Sequence, residues 1–598
     1  MAPVPVLLGA DVVAARGMHI KKNETAFQEN SATIVMPSKE AAFLNPVQEF
    51  NRDLSTLSII SWSKILNKEK EQRFSAHGKA HNAKCNEHAA KRAKTEEVAY
   101  RDYKFNALEA LSATGLRSIR YAKEIPLLGS IVANDLSKTA VDAMRRNLAL
   151  NFPPGRQLEA WSFVAVPDAK DVPSEEHESQ APTIHPDCKV HANQGDAIAL
   201  MYQHRDPPKR FDMIDLDPYG SAAPFLDAAV QSVADGGLLC ITCTDLAVLA
   251  GHNYPEKCWS LYGGVSVKAE YSHEVALRLV LHAIAQAAGR YGRYIQPMLS
   301  LSIDFYLRVF VRVWSRPETV KLNAAKTGLV YTCSKCSNFH IQPMGRTTHS
   351  QSATGGTHLK FGSASGPPTD MKCAECGGSF HVGGPMWFGA LHDPAFCTEL
   401  LQTLDSGEHK VGTEARIRGM VNTARDELDA PFYFHPAKVA GLFHCTSPAL
   451  APVVQALLNA GFQASRSHCV AGSIKTDAPR TEVHDLFRTW IRSNPVNPAR
   501  IKENSAAWSL LQHRRQDGSP ATRREFDFDT PHKRTEEAIK GTVSAGRMVR
   551  YQMNPQANWG PGTAAKGHQK HAPRSLAPEE IARRAQEWKQ KEAEDTKT

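Results

Sequence analysis

The chain has 598 residues, too many for one hydrophobic core and enough for two or three domains, and its apolar fraction of 42% is that of a soluble protein. The longest apolar runs, 237–241 and 275–283, are too short to cross a bilayer, and Arg278 and His282 interrupt the second. A net charge of +9 suits a polyanionic partner, and 12 Cys with four in two Cys-x-x-Cys pairs fit a reducing compartment and a metal site better than a disulfide framework.

Residues 1–40 read as a flexible N-terminal segment. They lack a charged stretch followed by a compact apolar core, so no secretory signal is apparent, while Arg16, Lys21 and Lys22 in an acid-poor context fit an organellar presequence. In residues 45–55, NPVQEFNRDLS, Pro46 can open a helix on which Arg52 sits among the acids Glu49 and Asp53. Such a pattern is ordinarily a surface helix with local ion pairs. The run 68–97 reads as a solvated helix or loop, with Lys91, Arg92 and Lys94 close enough together for a nuclear-import signal.

From Phe105 the pattern becomes strand, turn, helix: FNALEAL, then SATGLRS around Gly115, then IRYAKEI. Gly115 lets the backbone approach a ligand, and the helix start behind it favours polar or anionic groups. One glycine does not make a dinucleotide fingerprint. SIVAND, residues 130–135, is a second strand ending in Asp135, which can accept both ribose hydroxyls of an adenosine cofactor, cap the following helix, or do both. After a Pro-rich, acidic insertion at 153–186, a third strand at 189–194 runs into Gly195, Asp196 and Ala197. Asp196 can accept from an adenine amine or stabilise its own turn.

The fourth strand opens FDMIDLDPYGSA, residues 211–222. Its apolar residues suit a strand buried on both faces, and Pro218 cannot donate to a ladder, so pairing stops at Asp217. Asp217, Pro218 and Tyr219 therefore sit at the carboxyl end of a strand, where open α/β sheets bind ligands. An aromatic ring beside a carboxylate and a proline carbonyl suits a flat base with an exocyclic amine; the competing reading is a strand-to-turn junction with a solvated Asp and a packing Tyr. Asp215 is either a second polar contact or a buried structural acid. GLLCITCT at 237–244 supplies a fifth strand and 298–314 a closing antiparallel pair, which together predict a doubly wound, Rossmann-like α/β sheet. No P-loop lysine motif is present, which argues against an NTPase.

EALSATGLRSIRYA, Asn134-Asp135, Gly195-Asp196-Ala197 and DLDPYGSAAPFLDAA, in this order, with NPVQEFNRDLS upstream and GHNYPEKCWSLYGG and EYSHEVALRLVL downstream, resemble the tRNA guanine-26 dimethyltransferase family, eukaryotic type. The resemblance spans roughly residues 40–500. It implies a class I S-adenosylmethionine-dependent methyltransferase domain at 41–320, a C-terminal tRNA-binding domain at 321–495, and dimethylation of the guanine 2-amino group of tRNA. It also implies cofactor-binding positions at Arg52, Arg117, Asp135, Asp196 and Ala197, and a base-handling pair in Asp217 and Tyr219, beside which the Pro218 carbonyl can accept from the amine. Arg117 is preferred to Arg120 because it follows the turn directly. The insertion at 153–186 departs from the family pattern. The expected location is intracellular, in the nucleus and mitochondrion.

Cys333-x-x-Cys336 and Cys373-x-x-Cys376 have the pairwise spacing of a closed structural zinc site, with no position left open for water. Residues 345–368, rich in Gly, Ser and Thr, read as an inserted flexible loop. A helix in 447–462 ending at Gly461 belongs to a second α/β domain, where Arg466, His468, Lys475 and Arg480 are candidates for phosphate contacts or ordinary surface charge. Residues 496–598 are basic and largely flexible in composition, with 554–561 turn-rich and 578–593 helical in pattern. No membrane contact and no obligate protein partner are indicated. The competing functions are a zinc-containing nucleic-acid-binding protein without catalysis and an amino-methyltransferase acting on another base.

Overall fold

Three short strands precede the main sheet: β1 (Val6–Leu8), β2 (Glu24–Glu29) and β3 (Ala32–Pro37), which pair antiparallel in that order. The structure, a computed structural model, describes residues 6–8, 24–37, 48–86, 99–153, 184–351, 357–497, 499, 501–512 and 522–539. The presequence cations, Pro46, the Lys91 cluster, nearly all of the acidic insertion and the segments at 554–561 and 578–593 lie outside the described residues. After helix α1 (Glu49–Asn86) come β4 (Phe105–Glu109), α2 (Leu116–Glu124), β5 (Leu128–Asp135), α3 (Lys138–Asn151), β6 (Val190–Gln194) and α4 (Ala197–Gln203). β7 (Phe211–Leu216), α5 (Leu226–Ser232), β8 (Val233–Cys243), α6 (Pro255–Tyr262), α7 (Ser272–Gly289), β9 (Arg293–Ile303) and β10 (Tyr306–Ser315) complete this half.

The sheet order is β6-β5-β4-β7-β8-β10-β9, with the first five strands parallel and β10 antiparallel to both neighbours. Strand order reverses between β4 and β7, so the ligand crevice of such a sheet opens at their carboxyl ends. All six residues of β7 are buried, as a central strand covered on both faces requires. Its register sets Glu109 of β4 beside Asp215 of β7, two acids just inside the crevice.

Two expectations change at the N-terminal end. The segment 1–40 is not flexible throughout, because Phe27, Ile34 and Met36 of the β2–β3 hairpin enter the core of the main sheet. Asn147 and Asn151 of α3 accept the backbone N–H groups of Val35 and Thr33 at 2.8 and 3.1 Å. α1 is likewise no surface helix: Phe50, Leu54, Leu57, Ile60 and Trp62 are buried in that core. Ser55, Thr56 and Ser61 donate to carbonyls one turn earlier, which satisfies hydroxyls that the helix also buries.

The second half holds β11 (Thr327–Cys333), β12 (Phe339–Pro343), β13 (Gly345–Gln351), β14 (Thr357–Ser363), β15 (Phe380–Trp387), α8 (Pro394–Asp405) and α9 (Glu414–Asp426). β16 (Tyr433–Phe434), α10 (Pro436–Phe443), α11 (Leu450–Asn459), β17 (Ala464–Arg466), β18 (Ile474–Thr476) and α12 (Arg480–Ser493) follow. The stretch expected as a flexible loop at 345–368 contains the antiparallel ribbon β13–β14. The expected division at residue 320 does not separate two cores, since Leu400 and Leu404 of α8 and Ile417 and Val421 of α9 pack in one cluster with α1 and the sheet. Part of the tail packs too: Leu510 and Phe526 are buried, and Arg488 Nε donates to the Leu510 carbonyl at 3.0 Å. Among the described residues no helix is long and apolar enough to cross a membrane.

The four basic candidates for phosphate contacts are all buried. Arg480 pairs with Glu270 at 2.7 Å, Lys475 with Glu427 at 3.1 Å, and His468 with Glu427 at 2.7 Å. The partners of these three are acids distant in sequence, which the local composition did not reveal.

Glu29 joins the hairpin to the sheet. It receives Arg52 Nε at 2.6 Å and Arg120 Nη1 at 2.7 Å. Burial raises this carboxyl, but the two guanidiniums outweigh burial and bring it to about 2. The stabilisation is therefore complete above the unfolded value of 4.5 and is lost as pH falls toward 2. Glu29→Gln is expected to destabilise the fold at pH 7 by the ~3–5 kcal/mol typical of breaking a buried pair, seen as a lower melting temperature, with the difference shrinking in acid. Equal melting curves at pH 7 would contradict this role.

Candidate active site and metal centre

Arg117 organises the crevice. Its Nη2 contacts Asp217 Oδ2, its Nη1 lies 3.6 Å from Asp215 Oδ2, and its Nε lies 3.7 Å from Glu109 Oε1. The α2 start aims it there: Gly115, at φ +78°, turns the chain into the helix, and a Cβ on it would come within 2.8 Å of Met144 Cγ on α3. Asp215 also takes both terminal nitrogens of Arg308 at 2.9 Å and the Tyr121 hydroxyl at 2.6 Å. It is thus the buried structural acid of the two sequence alternatives. Burial raises its carboxyl, and Arg308 and Arg117 together outweigh burial and hold it below the usual range. Burial pushes Glu109 up to about 7, so near neutral pH this acid is partly protonated beside the Arg117 guanidinium.

Asp217 is at the rim with its side chain 23% exposed, Pro218 is buried, and Tyr219 is 71% exposed. The turn behind them is clamped from β8. Gly220, at φ +84°, donates its N–H to Thr244 Oγ1 at 2.8 Å, and the Thr244 N–H returns to the Gly220 carbonyl at 2.9 Å. Ser221 Oγ meets the Tyr262 hydroxyl at 2.7 Å, and that hydroxyl reaches Asp245 at 2.9 Å. The motif is therefore a braced junction, not a loose strand-to-turn exit.

Asp135 ends β5 and accepts the Ala113 N–H and the Ser137 N–H, each at 2.9 Å. The cap of α3 is Ser137, which separates Asp135 from the capping role. Each carboxylate oxygen keeps a further acceptor direction, as a ribose diol needs. Asp196 caps α4, accepting the Ala199 N–H at 2.7 Å through Oδ1, and Ala197 is buried in the first turn of that helix. Asn134, which the sequence reading did not assign, ties these loops together by donating to the carbonyls of Ala110 and Gly195, both at 3.0 Å. Arg52 pairs with Glu29, and Arg120 pairs with Glu29, Asp53 and Glu124. Glu109, Arg308, Tyr121, Ser55 and Thr244 also escaped the sequence reading. The signal for Arg308 was there, since a charge inside the apolar strand YLRVFVRVWS needs a buried partner.

The four cysteines converge. Their sulfur atoms lie within 4.8 Å of one another, with Cys333 to Cys376 at 3.4 Å and Cys336 to Cys373 at 3.7 Å, and all four are buried. Zinc–sulfur bonds of about 2.3 Å place tetrahedral sulfurs about 3.8 Å apart, so the donor set fits a structural zinc ion. Backbone turns shape it: the N–H groups of Ser337 and Gly377 return to the carbonyls of Cys333 and Cys373, and a Cβ at Gly378 would sit 2.8 Å from Cys333 Sγ. His392, Glu427 and His468 also cluster. There the Ser300 and Ser302 N–H groups donate to His392 Nδ1 and His468 Nε2, which leaves the protonated ring nitrogens toward Glu427 beside the Lys475 ammonium. In that arrangement the two imidazoles turn protonated nitrogens, not lone pairs, toward the buried Glu427 carboxylate.

Residues 23–488 match the family described as N2,N2-dimethylguanosine tRNA methyltransferase. The chain belongs to that family. Among relatives named tRNA (guanine(26)-N(2))-dimethyltransferase, the Schizosaccharomyces pombe protein is 41% identical over 89% of this chain and 91% of its own length. The Mus musculus protein is 39% identical over 92% and 78%. A Saccharomyces cerevisiae relative named as mitochondrial is 38% identical over 89% and 91%. In fold, the chain is similar to Trm1 from Pyrococcus horikoshii, solved with S-adenosyl-L-methionine, at a TM-score of 0.55 and 24% identity over 78% of this chain and 99% of that one.

Within this member of the N2,N2-dimethylguanosine tRNA methyltransferase family, the thiolate cluster lies at the end of β11, away from the Arg117 network. Cys333→Ser and Cys373→Ser are accordingly expected to lower zinc content, measured by elemental analysis, and to destabilise the C-terminal half while S-adenosylmethionine binding largely survives. Equal metal content in parent and variants would contradict the assignment.

Proposed function

We propose that this chain transfers methyl groups from S-adenosylmethionine to the exocyclic 2-amino group of guanine 26 in tRNA, placing two on the same nitrogen. The observation that carries the reading is the rim of β7, where an Arg117-anchored carboxylate stands beside a proline carbonyl and an exposed tyrosine ring. The names of the relatives supply the substrate.

S-adenosylmethionine supplies a sulfonium-bound methyl group that needs no acid to leave, so the protein's task is alignment. Asp135 is assigned to the ribose hydroxyls, with Asp196 and Ala197 at the adenine end. Arg117 holds Asp217 through Oδ2, which leaves Oδ1 to accept from the guanine amine together with the Pro218 carbonyl. The amine lone pair is delocalised into the ring, and two acceptors favour its pyramidal form and stabilise the positive charge that develops. Tyr219 holds the base by its face. Guanine 26 lies at a helical junction and has to leave its stack to reach this rim, which an exposed ring can reward. The thiolate cluster holds zinc as a structural ion. The nucleus and the mitochondrion are the proposed locations, the second shared with the S. cerevisiae relative by its name.

Mass spectrometry of nucleosides from unmodified tRNA incubated with the protein and S-adenosylmethionine tests the reading. Dimethylguanosine is expected from tRNA carrying G26 and none from the same tRNA carrying A26. Methylation of another base would establish a different amino-methyltransferase. No methylation, with no thermal shift on adding S-adenosylmethionine, would establish a binding protein.

A further inference from the structure

Helix α6 buries one side and leaves an aromatic outside. Cys258 and Tyr262, four apart, face inward; Trp259, between them, is 55% exposed. The helix does not need that indole for closure, because Pro255 opens it and Gly263, at φ +67°, ends it. Just before it, Tyr254 is 40% exposed, with Lys257 Nζ 4.5 Å from its ring centroid. Single exposed aromatics are ordinary, but here the unit is joined to the methylation motif. The Tyr262 hydroxyl contacts Ser221, two residues beyond Tyr219, and Trp259 is one helical turn from Tyr262, roughly 5–6 Å between Cβ atoms. A large exposed ring thus stands on the helix that braces the methylation motif through Tyr262 and Ser221.

We propose that Trp259 is a stacking platform for an unpaired RNA base next to the guanine being methylated. The inference rests on the reading above and adds a second base-holding residue. A guanine leaving its stack exposes the faces of its neighbours, and an indole recovers that lost stacking for any base without hydrogen-bond readout. The surroundings favour stacking over phosphate contact, since Glu256 offsets Lys257 on the same helix and both are exposed. RNA is the occupant because the helix carrying Trp259 is tied through the Tyr262–Ser221 hydrogen bond to the motif that has to accept a nucleobase.

The test uses the full chain and purified unmodified tRNA, with filter binding over a range of salt, single-turnover methylation, and the thermal shift with S-adenosylmethionine. Trp259→Leu keeps an apolar side chain at this position of the helix but removes the ring. It is expected to weaken tRNA binding on the order of tenfold. The salt slope of binding should stay parental, because no phosphate contact is lost, and so should the S-adenosylmethionine shift. Trp259→Phe should keep most of the affinity. Parental affinity in Trp259→Leu, a Phe variant as weak as Leu, or a reduced salt slope would each overturn the inference, the first pointing to a different occupant for the surface. Such failures leave the proposed function standing if the parent still makes dimethylguanosine; a parent that neither binds nor methylates tRNA defeats both.

Discussion

The contact between Arg117 and Asp217 is the interaction on which the rest depends. A carboxylate at the open end of a sheet would otherwise point wherever solvent favoured. Here one of its oxygens is held by a guanidinium whose own position is fixed by Asp215 and Glu109. Burying that guanidinium is tolerable only because its acids are buried with it, and a buried charge left without a partner is strongly destabilising. Glu109 adjusts the balance: with its carboxyl near 7, the cluster avoids carrying a full surplus negative charge at neutral pH.

This cluster draws on segments far apart in the chain. Ser55 of α1 accepts from Arg308 at 2.8 Å and from Arg117 at 3.3 Å, so the N-terminal helix touches the site directly. The β2–β3 hairpin reaches the same helix through Glu29 and Arg52, and α9 reaches it through the Thr413 N–H, which donates to Asp53 at 3.0 Å. A sheet alone would place Asp217 and Asp135 at one edge. The Arg117 ion pair fixes the Asp217 side chain there, and the Ala113 and Ser137 N–H groups fix that of Asp135.

Much of this was legible in the sequence. Pro218 after an apolar run placed the end of the central strand, Gly115 the turn into its helix, Asp135 the end of the neighbouring strand, and the Cys-x-x-Cys spacing the cluster of four sulfurs, because each depends on local backbone or side-chain chemistry. What was not legible is non-local. His468, Lys475 and Arg480 looked like a basic surface because their acids, Glu270, Glu274 and Glu427, lie elsewhere in the chain. Spacing after the turn favoured Arg117 over Arg120, but the partner of Arg120 and Arg52 was not legible, since it is Glu29 on a hairpin that composition suggested was flexible. That hairpin did carry a signal, the alternation in AFQENSATIVM around Asn30, which adopts φ +47° at the turn.

The central claim is that Asp217 acts on the amine during methyl transfer and not in holding the RNA. Single-turnover methylation of tRNA at saturating protein and S-adenosylmethionine, paired with tRNA filter binding, tests it most directly. Asp217→Ala should slow transfer on the order of 100- to 1,000-fold with tRNA affinity retained, and Asp217→Asn, which keeps an acceptor oxygen without the charge, should lose less. Transfer by Asp217→Ala at the parental rate, or a loss explained entirely by failure to bind tRNA, would contradict it.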